Sequence, residues 1–518
     1  MNNRYYEIPD PKTSFLNTES PRGLLALNAV MAAIYFYILV FHFTPGNPIL
    51  FTLLVIGQVF HLWQVFTFIY TVWDTSYEAP RSSLYRAAVD VFITVAGEPV
   101  SLVRETVRAA IAMGYAAKKI YILNDGYVTK KDNWREMEAL AALEGVNCIT
   151  RTIPGGAKAG NINNALRLTN SPLVAIFDAD HVPHPDFLEK TVPYFAEANV
   201  GFVQTPQYYK NFAQNYLTQG AWEQQELFFG PICKGKNRLN STIMCGTNMV
   251  IRREALVAVG GMCTESITED FVTGMFMHEK GYVSVYHGEV LAEGLAPEDF
   301  LSYTRQQFRW ARGCLDAIFR YNPIFRRGLT FAQRIQYLSS ASFFLSGAIV
   351  LMHAMLPVIF LYTGAVPVVI SGMLLAGVFL PYIFLTLYSI QRSSNFTFTF
   401  PSLALAMGSF TIHLRALFAA MLRKKTSFTV TPKEAVSGNF VRLASVHIAY
   451  IGIAAFGILV ALVREGLSAS LVNNLAWVIF SSAVFIPFIR ASLPPKKTPM
   501  PLRLEKERAA KPAYERHS

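Results

Sequence analysis

The chain has 518 residues, of which 52% are hydrophobic and only 16% are charged. Soluble domains carry about 25% charged residues, so this composition excludes an ordinary soluble protein and favours a membrane protein with a sizeable soluble part. The net charge of +11 fits the excess of Lys and Arg in cytosolic loops of membrane proteins, and no basic stripe interleaved with aromatic residues indicates nucleic-acid binding.

Two apolar runs near the N-terminus, Leu24–Phe43 and Leu50–Trp73, reach the ~20 residues that a membrane-spanning helix needs. A cleaved signal peptide is the alternative interpretation of the first run. The long charged leader before it and the second run directly behind it favour a pair of spans. We therefore predict an N-terminal unit of residues 1–79 with two transmembrane helices.

Charged residues return between residues 80 and 330, and strand-like runs alternate with helix-like runs. This alternation predicts a parallel α/β sheet, in which ligands bind beyond the carboxyl ends of the strands. Asn124-Asp125-Gly126 and Asp178-Ala179-Asp180 fall at two such ends. The runs that support this prediction are Val89–Ala96, Val100–Met113, Ile120–Asn124, Gly160–Leu168 and Leu173–Phe177.

Two transmembrane hairpins are predicted after residue 330, in residues 331–392 and 443–492. Their apolar runs are Ile335–Gly364, Val366–Ile390, Leu443–Val463 and Ala469–Ile489. With the N-terminal pair they give about six spans, both termini in the cytosol, and a basic cytosolic tail at residues 493–518.

Ser402–Leu422 is also apolar, but it carries His413 and Arg415. If this run crossed the membrane, Lys424, Lys425 and the basic tail would lie outside, against the positive-inside rule. We therefore predict that residues 393–442 contain an interfacial helix on the cytosolic surface, followed by a loop.

All five cysteines fall in the segment that we place in the reducing cytosol, where disulfides are rare. Their number is odd and no pair has CxxC spacing, so we predict neither a disulfide framework nor a zinc site. They are Cys148, Cys233, Cys245, Cys263 and Cys314.

Asp178 and Asp180 lie two residues apart at a strand exit, where both carboxylates can turn toward one cation. Mg²⁺ and Mn²⁺ prefer such ligands together with phosphate oxygens, and a metal there would neutralise a diphosphate leaving group. By itself the motif is more typical of a solvated turn, and His181 and His184 behind it are more typical of loop histidines than of metal ligands.

Two further motifs are individually weak. Thr268-Glu269-Asp270 opens the helix-like run Phe271–Lys280, where acidic residues suit the N-terminus of a helix. Gln306-Gln307-Phe308-Arg309-Trp310 could form an amphipathic surface helix with Trp310 at the membrane interface. The two motifs become informative about function because they follow Asp178 and Asp180 in this order along the chain.

In this order the motifs resemble those of the membrane-integrated, processive branch of the family 2 glycosyltransferases, which includes cellulose, chitin and hyaluronan synthases. The resemblance covers about residues 85–440. It implies a GT-A-type α/β glycosyltransferase domain, residues 80–330, inserted into an all-α transmembrane bundle. The matching motifs are Asp125, Asp178-Ala179-Asp180, Gln204-Thr205-Pro206, Thr268-Glu269-Asp270, Gln306–Trp310 and Phe428–Lys433, the last resembling the FxVTxK gating loop of the cellulose synthase catalytic subunit.

The resemblance also implies roles for single residues. Asp270 would be the general base, with Glu269 beside it and Arg309 adding positive charge near the leaving diphosphate. Asp178 and Asp180 would bind Mg²⁺ or Mn²⁺. The implied donor-binding residues are Glu98, Asp125, Lys158, Asp178, Gln306 and Arg309; the acceptor-binding residues are Trp310, Cys245, Gly246 and Thr247; and the gating-loop residues are Phe428, Val430, Thr431 and Lys433.

Some positions depart from the family pattern. Asn124 precedes Asp125 where the family often has an aspartate, Gly97-Glu98-Pro99 replaces a YNEP-like start, and Gln207 stands where many cellulose synthases carry His. The first two make the donor base less certain, and the third weakens the assignment to cellulose itself. The tail is too short for a cyclic-di-GMP-binding PilZ domain, so we expect no such control within this chain.

We therefore expect a processive, inverting hexosyltransferase of the plasma (inner) membrane, with its catalytic domain in the cytosol. It would polymerise a UDP-sugar, UDP-glucose in the first place, into a β-linked polysaccharide and export it. The alternatives are a chitin- or hyaluronan-like synthase using UDP-GlcNAc, a non-processive enzyme acting on a lipid, and a transporter with an inactive domain. The expected partners are the donor, the growing polymer, the lipid bilayer and an accessory secretion subunit, which the sequence itself does not show.

Overall fold

The structure is a computed structural model that describes residues 19–369, 372–423 and 438–494. The predicted gating-loop residues and the basic tail after residue 494 lie outside the described residues, so the predictions made for them stay predictions.

A seven-stranded sheet forms the centre of the soluble domain, with strand order β7-β5-β6-β4-β1-β2-β3. All seven residues of β1 are buried, because Val91 and Ile93 pack into the core on one face and Phe92 into the core on the other. Helices therefore cover both faces, as in other mainly parallel sheets. The strands are β1 Val89–Val95, β2 Lys118–Asn124, β3 Asn147–Thr150, β4 Leu173–Asp178, β5 Val200–Gln204, β6 Met249–Arg252 and β7 Val283–Tyr286.

The predicted strands and helices of this domain are present, with small shifts at their ends. The helices are Val100–Ala112, Trp134–Glu144, Ala157–Leu166, Phe187–Thr191, Tyr216–Leu227, Cys233–Arg238, Arg253–Ala258, Glu269–Glu279 and Phe300–Asp316. The last carries the Gln306–Trp310 motif and is called the QFRW helix below.

The sheet is mixed, so the prediction of a parallel sheet is wrong at one strand. β6 runs antiparallel to both of its neighbours, β4 and β5. Met249, its first residue, pairs with Ile176 near the end of β4 and with Gln204 at the end of β5. The residues that precede β6 are therefore brought to the carboxyl edge of the sheet, where ligands bind in this class of fold. Alternation of strands and helices cannot reveal such a reversal.

A second, three-stranded sheet lies next to this edge. It consists of Val182–Pro183, Ala292–Gly294 and Tyr208–Tyr209, with Ala292–Gly294 in the middle. Because Val182 follows Asp180 and His181 directly, this small sheet fixes the chain on the far side of the two aspartates.

Six helices among the described residues are long and apolar enough to cross a membrane. Four of them match predicted spans closely, and a fifth, Phe331–Thr363, begins four residues before the predicted run. The six are Arg22–Phe41, Pro48–Val72, Phe331–Thr363, Phe400–Met421, Val441–Glu465 and Ala469–Ala491.

The predicted span Val366–Ile390 is not among these six. Its first part is the short strand Val368–Val369, which pairs with Thr44–Pro45. Its helical part runs from Gly372 and ends with Leu380–Ser393. The β pairing joins the loop between the first two spans to the loop after Thr363, so these two loops lie on the same side of the helix bundle.

Phe400–Met421 is among the six by length and composition, although its sequence predicts an interfacial helix. It consists of two helices, Phe400–Gly408 and Phe410–Met421, joined at Ser409, and is called the kinked helix below. The residues that contact the kinked helix lie on the side of the bundle that faces the soluble domain. Glu223 of that domain accepts hydrogen bonds from the backbone amides of Thr399 and Ser402 at 3.1 and 3.2 Å.

The kinked helix also contacts three spans, each near the end that faces the soluble domain. His447, at the start of its span, contacts the carbonyl oxygen of Gly408 at 2.8 Å, and Phe488, at the end of its span, packs against the same glycine. Gly347, near the start of a third span, lies against Phe410. These contacts agree with an interfacial helix, and its position in the bilayer stays a prediction.

Candidate active site

Asp178 and Asp180 stand at the carboxyl end of β4, as the strand pattern predicts. With His181 they place three ligand atoms within 4.8 Å of one another. Asp180 and His181 are buried, and Asp180 accepts a hydrogen bond from the backbone amide of Leu295 at 3.4 Å. Two carboxylates and one imidazole are a donor set that a divalent cation such as Mn²⁺ accepts, and the two oxygens suit Mg²⁺ as well.

Lys158 reaches the first of these aspartates from the start of the helix Ala157–Leu166. Its ammonium group forms an ion pair with Oδ1 of Asp178 and donates a hydrogen bond to the carbonyl oxygen of Gly246 at 2.8 Å. Burial would lower the pKa of Lys158, but the charges of Asp178, Glu269 and Asp270 outweigh burial and raise it. Lys158 is therefore a largely buried, protonated cation among carboxylates.

Glu269 and Asp270 open the helix Glu269–Glu279 on the opposite side of Lys158. Oδ1 of Asp270 accepts the backbone N–H of Phe271 at 2.7 Å. Burial and the neighbouring charge of Asp270 raise the pKa of Glu269 to about 7, although Lys158 and Arg309 oppose this rise. Burial also raises the pKa of Asp270. A carboxylate with a raised pKa is a stronger base near neutral pH, which suits proton abstraction from a hydroxyl group.

The segment Cys245–Thr247 joins the two acidic clusters. The hydroxyl of Thr247 accepts the backbone N–H of Asp178 at 2.9 Å. Gly246 has a φ of +80°, and a Cβ atom at this position would lie 2.7 Å from Oδ2 of Asp270. Glycine is thus required here both for its backbone conformation and for the space that it leaves beside the carboxylate.

Gln204 of the Gln-Thr-Pro motif holds this segment in place. Its side chain is fully buried, donates to the carbonyl oxygen of Thr247 at 2.8 Å and accepts the backbone N–H of Cys245 at the same distance. The motif therefore acts as a support behind the site, a role that its sequence alone does not reveal.

The QFRW helix closes the site from the membrane side. Arg309 lowers the pKa of both Glu269 and Asp270 by its charge, so it faces the acidic pair. Trp310 is half-buried beside a cluster that includes Phe344, Ala416 and Ala420 of the membrane part. Gln306 is placed beside the buried hydroxyl of Tyr209.

Gly313 explains how closely the QFRW helix approaches the acidic pair. A Cβ atom on Gly313 would lie only 2.3 Å from Cγ2 of Thr268. A glycine inside a helix lowers its stability by roughly 0.5–1 kcal/mol relative to alanine. Here it permits the contact between the helix that carries Arg309 and the residue before Glu269.

Asp125 directly follows β2, so it lies at the same carboxyl edge of the sheet as Asp178. Both of its carboxylate oxygens accept hydrogen bonds from Arg151, at 2.7 and 2.6 Å, and both side chains are buried. Asn124, the departure from the family pattern, accepts the backbone N–H of Gly126 and donates to the carbonyl of Trp134. Glu98 accepts the backbone N–H of Ala96 at 2.6 Å.

Two family models match the chain, and together they run through both the site and the membrane part. The model for "Glycosyltransferase like family 2" matches residues 87–313, and the model for "Cellulose synthase" matches residues 257–485. Over residues 87–485 the chain carries the sequence pattern of cellulose synthase-like family 2 glycosyltransferases. The acidic motifs, the QFRW helix and the apolar helices that follow it are thus parts of one family pattern.

Relatives of the chain include bacterial cellulose synthases. It is 31% identical over 440 residues to "Putative cellulose synthase 2" of Komagataeibacter xylinus, a match that covers 81% of this chain and 28% of the relative. It is 39% identical over 267 residues to a "Cellulose synthase catalytic subunit [UDP-forming]" of Xanthomonas axonopodis pv. citri, covering 50% of this chain and 36% of the relative. The matches thus span less than half the length of these relatives.

Among solved structures, the chain is similar to a mannosyltransferase from Pyrobaculum calidifontis in complex with GDP-Man and Mn²⁺. The TM-score is 0.50 at 16% identity, and the match covers 78% of this chain and all of that one. At this identity the likeness shows the fold alone. It agrees with the predicted GT-A-type domain.

Arg151 is a residue of the candidate site that sequence reasoning missed, although a signal for it exists. Thr150 of β3 pairs with Asn124 of β2, so the residues that follow these two strands must lie side by side. A buried carboxylate at such a position needs a partner of opposite charge, and an arginine follows β3 directly. Gln204 and Gly313 offer no comparable signal, because their contacts join distant parts of the chain.

Proposed function

We propose that the chain is a processive, inverting hexosyltransferase that polymerises a UDP-sugar, UDP-glucose in the first place, into a β-linked polysaccharide and passes it across the membrane. The observation that supports this most is the gathering of Asp178, Lys158, Asp270 and Arg309 in one place, between the carboxyl edge of the sheet and the membrane helices. "[UDP-forming]" in the names of several relatives supports the choice of a UDP-activated donor.

The donor would lie along the carboxyl edge of the sheet. Its base would sit at Asp125 and Glu98, and its diphosphate would extend toward Lys158 and the two aspartates, with Gln306 and Arg309 on its other side. A divalent cation held by Asp178 and Asp180 would supply charge neutralisation for the diphosphate as it leaves. Lys158 and Arg309 add fixed positive charge that needs no reorganisation during the reaction.

Asp270 would take the proton from the acceptor hydroxyl. The acceptor oxygen attacks the anomeric carbon as the bond to the diphosphate breaks, so the configuration inverts and UDP leaves. The space that Gly246 leaves beside Oδ2 of Asp270 is where this hydroxyl would enter. Trp310 would support the terminal sugar of the acceptor together with Cys245 and Thr247.

The position of Trp310 supports polymer export. Phe344, in its neighbourhood, belongs to Phe331–Thr363, a helix apolar enough to span the membrane. A chain that lengthens at Trp310 would therefore enter the helix bundle directly. The gating-loop residues would cover the donor on the other side and exclude water. An accessory subunit that receives the polymer outside is a further proposal.

Two other functions would use the same site. A chitin- or hyaluronan-like synthase would take UDP-GlcNAc instead of UDP-glucose, since these sugars differ at a single ring position. A non-processive enzyme would transfer one sugar to a lipid. The complete Gln306–Trp310 motif and the helix bundle next to it favour a polymer.

The test is to incubate the purified full chain, in lipid nanodiscs, with a panel of radiolabelled UDP-sugars and Mg²⁺ or Mn²⁺. We expect a high-molecular-weight product from one UDP-sugar, digestion of that product by a β-specific glycosidase, and loss of synthesis in EDTA. A product that carries a single added sugar would exclude the polymerase, and full activity in EDTA would contradict the metal role. The donor that is used decides between glucose and N-acetylglucosamine.

A further inference from the structure

A strained loop links the nucleoside side of the site to the metal side. Gly155, Gly156 and Ala157 have consecutive positive φ angles of +130°, +67° and +45°. Ala157 is not a glycine, so its left-handed conformation costs free energy and persists only where neighbouring contacts hold it. Lys158 follows immediately, so any movement of this loop moves the lysine that contacts Asp178.

Arg151 holds the loop from the nucleoside side. Its guanidinium group is bidentate to Asp125, as described above, and is 6% exposed. The same group donates hydrogen bonds to the carbonyl oxygen of Gly155 and, at 3.1 Å, to that of Ala157. One planar group thus ties the carboxylate at the proposed base pocket to the backbone of the strained loop.

Lys158 holds the loop from the metal side. Its ion pair with Asp178 places a buried positive charge on one of the carboxylates that would bind the metal. Glu269 and Asp270 also attract this charge. A divalent cation that approaches Asp178 must therefore displace the ammonium group, which loses several favourable interactions unless another anion receives it.

We propose that Lys158 keeps a divalent cation off Asp178 until the donor nucleotide is bound, and that Arg151 is the positioning residue that couples nucleoside binding to this release. A base that engages Asp125 competes with Arg151, which then holds Gly155 and Ala157 less firmly. The diphosphate offers Lys158 a new anionic partner. Metal and nucleotide consequently bind in a mutually dependent way. This inference rests on the proposed function, because it takes a nucleotide as the ligand.

The experiment measures Mn²⁺ binding to the full chain in nanodiscs, from the electron paramagnetic resonance signal of free Mn²⁺, with and without UDP. For the wild type we expect UDP to tighten Mn²⁺ binding about tenfold or more, within the usual range of coupling between two sites. Lys158→Met should tighten binding of Mn²⁺ alone by about tenfold. Arg151→Lys keeps a charge beside Asp125 but lacks the planar fork, so UDP should tighten Mn²⁺ binding less than it does in the wild type.

Lys119→Met is the control, because Lys119 is exposed and lies at the opposite end of β2 from Asp125; it should behave as the wild type. Equal binding of Mn²⁺ alone by Lys158→Met and by the wild type would overturn the role of Lys158. Wild-type coupling in Arg151→Lys would overturn the role of Arg151. Failure of the wild type to bind UDP would instead refute the proposed function, while the measurement of Mn²⁺ alone would still test Lys158.

Discussion

Two adjacent carboxylates, Glu269 and Asp270, share one buried position, and the residues around them divide their roles. Asp270 lies beside the space left by Gly246, where an acceptor hydroxyl can enter. Glu269 is buried, and the charge of Asp270 raises its pKa. This arrangement supports the proposal that Asp270 takes the proton and that Glu269 acts through its charge.

Replacing Asp270 by Asn should abolish transfer and leave donor binding intact, because the amide cannot accept the proton while the donor contacts at Asp125 and Asp178 remain. General base catalysis contributes about 10²–10⁴-fold in rate, so we expect a loss of that order in sugar incorporation. UDP binding, measured calorimetrically, should stay within a fewfold of the wild type. Turnover at the wild-type level would remove the assignment of Asp270.

The raised pKa values predict how activity depends on pH. The base must be deprotonated, and burial raises the pKa of Asp270 above its ordinary value, so incorporation should fall with decreasing pH at a higher pH than an exposed aspartate would give. Glu269→Gln removes a negative charge next to Asp270, which should lower the pKa of Asp270 and move the acid limb to lower pH. The pH profiles of kcat for both proteins test this. An inactive Glu269→Gln protein that still binds UDP would make Glu269 the base.

At the scale of elements, glycines set the distances between the membrane helices and the soluble domain. A Cβ atom on Gly347 would lie 2.7 Å from the carbonyl oxygen of Phe410, so backbone meets backbone where a span crosses the kinked helix. Gly220 approaches the side chain of Leu405, and Gly408 approaches the side chain of Phe488. The kinked helix is thus fixed between the soluble domain and the spans, and it leads into the predicted gating loop.

Gly347→Ala should destabilise the chain, because the contacted atom is backbone and cannot rotate away. Overpacking of this kind costs about 1–3 kcal/mol, so thermal unfolding in detergent should begin at a lower temperature and synthesis should fall. Gly452→Ala is the matched control: it lies in the span Ser445–Glu465 with no atom within 4 Å of the added Cβ. It should be neutral or slightly stabilising. Equal unfolding temperatures for the two variants would contradict the close contact.

The local sequence pattern was sufficient to predict most strands and helices of the soluble domain, because β1, β2 and β4 are short segments rich in apolar residues. The ends of β2 and β4 also placed Asp125 and Asp178 on one edge. The reversal of β6, the support from Gln204 and the approach at Gly313 could not be predicted. Each depends on residues that are far apart in sequence and meet only when the whole sheet and the QFRW helix are assembled.

On the scale of the whole molecule, the hydrophobic runs predict about six spans, and six described helices are long and apolar enough to cross a membrane, but the two sets differ in one member. Phe400–Met421 satisfies the length and composition of a span, yet its contacts lie with Glu223 and with the inner ends of three other helices. Val366–Ile390 instead begins with a two-residue strand. Hydropathy reports how apolar a helix is, and a helix that packs inside a bundle needs the same apolar surface as a helix that faces lipid. Hydropathy alone therefore does not distinguish the two.

The orientation of the chain can be tested with two single cysteines, Leu143→Cys in the soluble domain and Leu467→Cys in the turn between the last two spans. Both leucines are strongly exposed, at 71% and 80%, and the five native cysteines are buried or only partly exposed, so the wild type gives the labelling background. The test counts the helical segment from Gly372 to Ser393 as a span. If the kinked helix is interfacial and the soluble domain is cytosolic, a membrane-impermeant maleimide should label Leu467→Cys in intact spheroplasts. It should label Leu143→Cys only after permeabilisation. If the kinked helix crossed the bilayer as well as this segment, parity would place position 467 on the same side as position 143, and neither variant would react in intact spheroplasts.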